Sequence, residues 1–278
     1  MYWKLSVYRR WRGYNEGMTS KEMSRYRRFA GRLASIRQVR RGFIAEWAVT
    51  LTLLLFGWTT LLQAYVIPSG SMQDSLLIGD HVLVDRLVYA PAGSVSGRWL
   101  PYRDIRRGDV IVFRSPVEDL TLVKRAIGVP GDHIRLVNKQ LVLNGKPVNE
   151  PYAKHIAENV DPYRDYFPQV APLGLQPRAA EMLEHDVVNG ELVVPPGYIF
   201  AMGDNREDSN DSRYWGLVPR DNIAGTPVLI YWSFDAPTED LTNGNIGIDH
   251  IVDLATHFFT KTRWHRTFQL IRGYPLHS

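Results

Sequence analysis

Two segments carry residue types that together could perform acyl transfer. One is Ser69-Gly70-Ser71-Met72, a serine-glycine loop directly behind Pro68. The other holds Lys124, inside the apolar run LTLVKRAIG at 120–128. A serine hydroxyl attacks a carbonyl only once a base has taken its proton. Histidine is the usual base, yet none of the eight histidines falls in an active-site motif. A lysine buried in an apolar strand loses its charge more readily, because desolvation disfavours the ammonium form, and the neutral amine can then serve as base. If Lys124 points inward, strand alternation sends Arg125 out to solvent. On pattern alone, the commoner reading of Lys124 is a solvated charge on an edge strand. A third segment, GDNREDSNDSRYWG at 203–216, is dense in turn and charged residues between strand-like runs. It lacks the glycine and closing glutamate of an EF-hand loop, and reads as a rigid polar loop supporting a site. The chain has no cysteine, which excludes a thiol nucleophile, a disulfide framework and cysteine-bound zinc.

These residues need a scaffold, and the composition allows one. The 278 residues are 45% hydrophobic and 22% charged, enough for a packed core. Charge is unevenly spread. Residues 1–42 hold twelve Lys/Arg against two acids (net +10), whereas the remaining 236 hold 21 against 27 (net −6). Behind this basic arm, Trp47–Ile67 is a charge-free apolar run of 21 residues, long enough to cross a bilayer as a helix. The alternative is a buried core helix, which would normally keep a polar stripe. With the arm at 1–46 held in the cytoplasm, residues 68–278 face the periplasm or exterior. Both basic and apolar segments are too long for a cleavable leader. Aromatics between the arginines superficially suit RNA. Beside a span, however, a basic run more often meets anionic lipid, so membrane lipid is the expected partner and nucleic acid is not.

The rest looks β-rich. Gly79-Asp80, Gly108-Asp109 and Gly131-Asp132 open strand-like runs, and Asn144-Gly145 suits a hairpin between QLVL and KPV. Further strands are expected at ELVV, YIFAM and TPVLIYW. The fold class expected is mainly β: an antiparallel-sheet domain over 68–240 with a smaller inserted lobe at about 146–190, tethered by one N-terminal transmembrane helix. A short helix is expected near 178–185 within that lobe. The segment 241–278 reads equally as an interfacial amphipathic helix or a solvated tail.

Taken together, PSGSM at 68–72, RGDVIVF at 107–113, VKRAIGVPGD at 123–132 and GDNREDSNDSRYWGLVP at 203–219 resemble, in order and spacing, the bacterial type I signal peptidases. The resemblance covers most of 47–235. It implies an almost all-β protease that removes N-terminal signal peptides from exported precursors at the membrane, without metal or cofactor, with the secretion machinery as a further partner. It implies Ser71 as nucleophile, Lys124 as general base, and Ser69 with the Ser71 N–H as oxyanion hole. It also implies Ser209 as the residue that orients the lysine amine, and Asp211 with Arg213 as a supporting ion pair. Tyr65, Ile67, Pro68, Met72, Leu76, Leu122 and Val123 match the lining of shallow pockets for small residues, of the Ala-X-Ala type. Glu207 stands where the family usually has Asp, a change expected to matter little. Rival readings are a different maturation peptidase using the same pair, an inert membrane-tethered scaffold for exported chains, and a binding protein led by the basic arm.

Overall fold

The computed structural model describes residues 42–89, 102–169, 171–172, 175–236, 238, 241 and 256–276. Residues 1–41 of the basic arm lie outside them. The first element is helix α1, Phe43–Thr60, most of whose apolar side chains, Phe43, Ile44 and Leu53 among them, are exposed. The expected apolar span does not continue as helix to Ile67. Residues Leu62–Val66 form strand β1, paired antiparallel with β2, Asp80–Asp85, from Leu62↔Asp85 to Val66↔His81. Hydropathy alone could not separate them, because an apolar run reads alike as helix or buried strand. Among the described residues no helix is long and apolar enough to cross a membrane.

Two antiparallel sheets follow. The larger takes the order β1-β2-β12-β3-β4-β10-β11, with β13 against β12. Its further strands are β3 (Val110–Arg114), β4 (Thr121–Gly128), β10 (Tyr198–Met202), β11 (Val218–Pro219), β12 (Ile223–Ser233) and β13 (Gln269–Leu270). The second sheet runs β7-β6-β5-β9-β8, from β5 (His133–Val137), β6 (Gln140–Leu143), β7 (Lys146–Pro147), β8 (Val187–Val188) and β9 (Glu191–Val193). Helix α2, Pro177–His185, buries Ala179 and Met182. The second sheet therefore begins at His133, earlier in the chain than the segment whose composition stood out. Residues 133–147 have the same strand pattern as the main sheet and differ only in what they pair with. The turn chemistry is as expected. Gly79, Gly108 and Gly131 all sit at positive φ, and Asn144 (φ 52°) with Gly145 (φ 77°) joins β6 to β7.

The C-terminal segment is neither a solvated tail nor only an interfacial helix. After helical turns at 256–261, β13 pairs with Leu229 and Ile230 of β12. Arg266 reaches the fully buried Asp80, Nη2 to Oδ2 at 2.6 Å. Leu276 joins the core built around Ile127, Phe167 and Phe200. A few anchors, rather than a periodic pattern, hold this segment, so its sequence gave no strand or helix period to read.

Candidate active site

Ser71 sits in a short 3-10 turn, Gly70–Met72, with Ser69 extended in front of it (φ −129°, ψ 153°). The turn follows Pro68, at the end of the segment that leaves β1. Strand β4 delivers Lys124 from across the sheet, where it pairs with Ile111 of β3. Lys124 is only 4% exposed, and its Nζ lies 2.5 Å from Ser71 Oγ, donating to it. Burial pushes the Lys124 amine down from 10.5 to about 8. The carboxylates of Asp211 and Asp204 oppose that shift, and Arg213 adds to it. Ser69 Oγ is 3.4 Å from Ser71 Oγ, so the two hydroxyls and the amine converge on one point.

The polar loop at 203–216 packs behind them. Asp211 and Arg213 form a buried pair, Nε to Oδ1 and Nη2 to Oδ2 both at 2.8 Å. Asp211 also caps α3, Ser212–Trp215, and accepts from the Gly203 N–H at 3.1 Å. Its carboxyl is held below the ordinary range: burial would raise it, but Arg213 and the hydrogen bonds outweigh that. The Asn205 N–H donates to the Ser71 carbonyl at 3.0 Å. Ser209 is buried beside them, yet its hydroxyl has no hydrogen-bond partner. The link from Ser209 to the lysine amine that the resemblance implies is therefore not formed here.

A pocket of about 60 Å³ adjoins Ser71 and Lys124, and Tyr65, Ile67, Pro68, Met72, Leu122 and Val123 line it. Leu76 does not reach it; fully buried, it packs with Val82, Val84 and Ile230. The pocket lies between the end of β1 and the start of β4. Among the described residues, β1 pairs only with β2, and β10 covers β4 only from Arg125 onward.

Arg125 corrects the expectation that it meets solvent. It points opposite Lys124, as alternation requires, but that face is covered too. Its guanidinium binds Asp204 through Nε at 2.8 Å and Nη2 at 2.6 Å, with the Tyr152 ring 3.9 Å away. Tyr152 in turn donates to Glu150 at 2.7 Å, and Glu150 pairs with Arg206. Glu207 also does more than fill its place. It accepts from the Ile156 N–H at 2.7 Å and meets Lys139 at 3.2 Å and His155 at 3.0 Å. Glu150 and His155 thus tie the 150–156 segment to the polar loop, and Tyr152 ties it to Arg125 of β4. Sequence alone does not announce these contacts, because their partners lie 27 to 56 positions away.

A serine hydroxyl held against a buried amine beside a small pocket has the parts for acyl transfer, and similarity to known proteins gives the class, a serine endopeptidase. The family described as "Signal peptidase, peptidase S26" matches residues 40–232. Signal peptidase I of Pseudomonas aeruginosa is 35% identical over 211 residues, covering 68% of this chain and 72% of that one. Signal peptidase I of Bacillus caldolyticus is 36% identical over 195 residues, covering 70% and 93%. That of Aquifex aeolicus is 32% identical over 237 residues, covering 70% and 85%. The chain belongs to the signal peptidase family, peptidase S26.

Proposed function

We propose that this protein removes signal peptides from exported precursors by a Ser71–Lys124 dyad, cutting after small residues of the Ala-X-Ala type. The contact that carries this reading is the 2.5 Å approach of Lys124 Nζ to Ser71 Oγ, made by an amine whose pKa burial lowers to about 8. In its neutral form the amine accepts the Ser71 proton while Oγ attacks the carbonyl carbon. Charge then develops on the carbonyl oxygen, where the Ser71 N–H and the Ser69 hydroxyl serve as donors. The ammonium of Lys124 protonates the departing amine as the C–N bond breaks. Water, losing its proton to the same lysine, attacks the acyl-enzyme ester and frees Ser71. A pocket of about 60 Å³ has room for a methyl-sized side chain, which supports the preference for alanine. The open edges of β1 and β4 on either side of it suit an extended substrate chain.

Although no described helix is by itself long and apolar enough to cross a membrane, the proposal includes single-pass attachment to a bacterial plasma membrane by the apolar segment to which α1 belongs, with the arm cytoplasmic and the protease domain outside. The exposed apolar side chains of α1 and the basic arm ahead of it support this. The test is incubation of the detergent-purified chain with a precursor whose leader ends in Ala-X-Ala. Ser71→Ala and Lys124→Met run beside it, with folding checked by circular dichroism. Cleavage after the second alanine by the wild type alone is expected. Cleavage that survived Ser71→Ala would mean a different nucleophile, and a folded but inactive wild type would favour the scaffold reading.

A further inference from the structure

A second cleft, about 240 Å³, shares Ser69, Ser71, Leu122 and Lys124 with the small pocket and then departs from it over Glu118, Asp208, Asn210 and Trp215. Glu118 and Asp208 are exposed, and no arginine lines the cleft. Glu118 comes from the loop joining β3 to β4, and Asp208 from the polar loop, so two separate segments bring acid to the same side of the nucleophile. Asp208 is near enough to Lys124 for its charge to favour the protonated amine. At the wall of the cleft, Trp215 is 1% exposed, and its indole N–H has no hydrogen-bond partner. A buried donor left unmatched is uncommon and costly. A backbone carbonyl of a bound chain, or a water it carries in, would match it.

We infer that this cleft receives the first residues after the cut, and that Glu118 and Asp208 make it select basic over acidic side chains there. The inference rests on the proposed Ser–Lys reading. If the small pocket takes the residue before the scissile bond, the second cleft, which continues from Ser71 and Lys124 among the described residues, is the one that lies open to the chain leaving Ser71. The new amino terminus also emerges there, where two carboxylates stabilise it as an ammonium.

The experiment uses the full chain in detergent and a set of peptides identical up to and including the residue before the cut. They carry lysine, glutamine or glutamate at the second position after it. At low salt, kcat/KM is expected to be about fivefold or more higher for the lysine peptide than for the glutamate peptide, a ratio set by exposed charge pairs that shrinks in high salt. Glu118→Gln and Asp208→Asn should each narrow the ratio, and the double variant should bring it close to one. Taking the ratio cancels any change Asp208→Asn makes to Lys124 itself. Equal rates for the lysine and glutamate peptides, or a ratio indifferent to both substitutions, would overturn the inference while leaving the dyad intact. No cleavage of any peptide by folded protein would overturn the dyad reading and the inference with it.

Discussion

The backbone N–H of Asn205 donates to the carbonyl oxygen of Ser71 at 3.0 Å, so the polar loop that carries Asp204 and Asp211 is fastened to the turn that carries the proposed nucleophile. Gly203 makes this approach possible. A Cβ there would lie 2.3 Å from Ser209 Oγ and 2.5 Å from the Ser71 carbonyl oxygen, closer than packed atoms tolerate, and the carbonyl is backbone that cannot swing aside. Gly203→Ala is therefore expected to move Ser71 relative to Lys124. The rate should fall by about 10²-fold, since displacements near 1 Å cost that much, with about 1–3 kcal/mol of stability lost to overpacking. Peptide cleavage and thermal melts read the two effects separately. A variant with wild-type rate would show that the turn tolerates the shift.

On the proposed Ser71–Lys124 dyad, the pH dependence of cleavage follows from Lys124. Its amine must start neutral to act as base, and burial brings its pKa to about 8. The rate is thus expected to rise from pH 6 and level off above about pH 8–9. Asp211 favours the charged amine, so Asp211→Asn should move the rising limb to lower pH in whatever fraction still folds. A rate that fell steadily from pH 6 to pH 9, with circular dichroism unchanged, would count against the lysine as base.

The same burial makes Lys124 a stability liability. Its folded pKa, about 8, lies below the unfolded value, so the unfolded chain binds more protons and stability rises with pH between the two. Below pH 8 the charged amine destabilises the fold by roughly 3 kcal/mol, at 1.36 kcal/mol per pKa unit. That cost fades toward pH 10.5. Lys124→Met, similar in shape and uncharged, is expected to be inactive yet more stable at pH 7, with the gain shrinking by pH 10. Denaturant midpoints at the two pH values measure it, and a less stable variant at pH 7 would contradict the account.

The C-terminal segment offers a test of architecture. Arg266 pairs with Asp80, which also accepts from Ser233 Oγ at 2.6 Å and from the Leu77 N–H at 2.9 Å. Removing one member of a buried pair leaves the other uncompensated. Arg266→Ala should therefore cost about 3–5 kcal/mol, seen in urea unfolding. A loose tail would give no change.

Strand segments and hairpin turns were legible because each depends on neighbouring residues: alternation, Gly-Asp and Asn-Gly turns. Pattern alone favoured a solvated Lys124, and only the family resemblance paired it with Ser71, whose Oγ it meets at 2.5 Å. What escaped depends on distant partners. Residues 133–147 read as strands but not as a second sheet. Arg125 read as solvated because nothing nearby announces that Asp204 and Tyr152 cover its face. The apolar run at 47–67 divides at Leu61 between helix and strand because β2 competes for residues 62–66, a competition hydropathy does not register.

Ser209 separates rate from stability most sharply. Its hydroxyl is buried without a partner, next to Gly203, in the loop whose acids surround Lys124. A hydroxyl that bonds to nothing in the folded protein contributes little to stability, so Ser209→Ala should melt within about 0.5 kcal/mol of wild type or slightly above it. A buried polar atom is nevertheless rarely left unmatched without a reason. The family resemblance implies one, orienting the lysine amine: we predict that the hydroxyl turns to Nζ as the amine takes the Ser71 proton. On that account Ser209→Ala loses roughly 10–100-fold in kcat with KM nearly unchanged, because the interaction forms only as the reaction proceeds. Ser209→Thr keeps the hydroxyl and should recover part of the rate if the added methyl is accommodated. Loss of stability in step with activity would instead make Ser209 a packing residue.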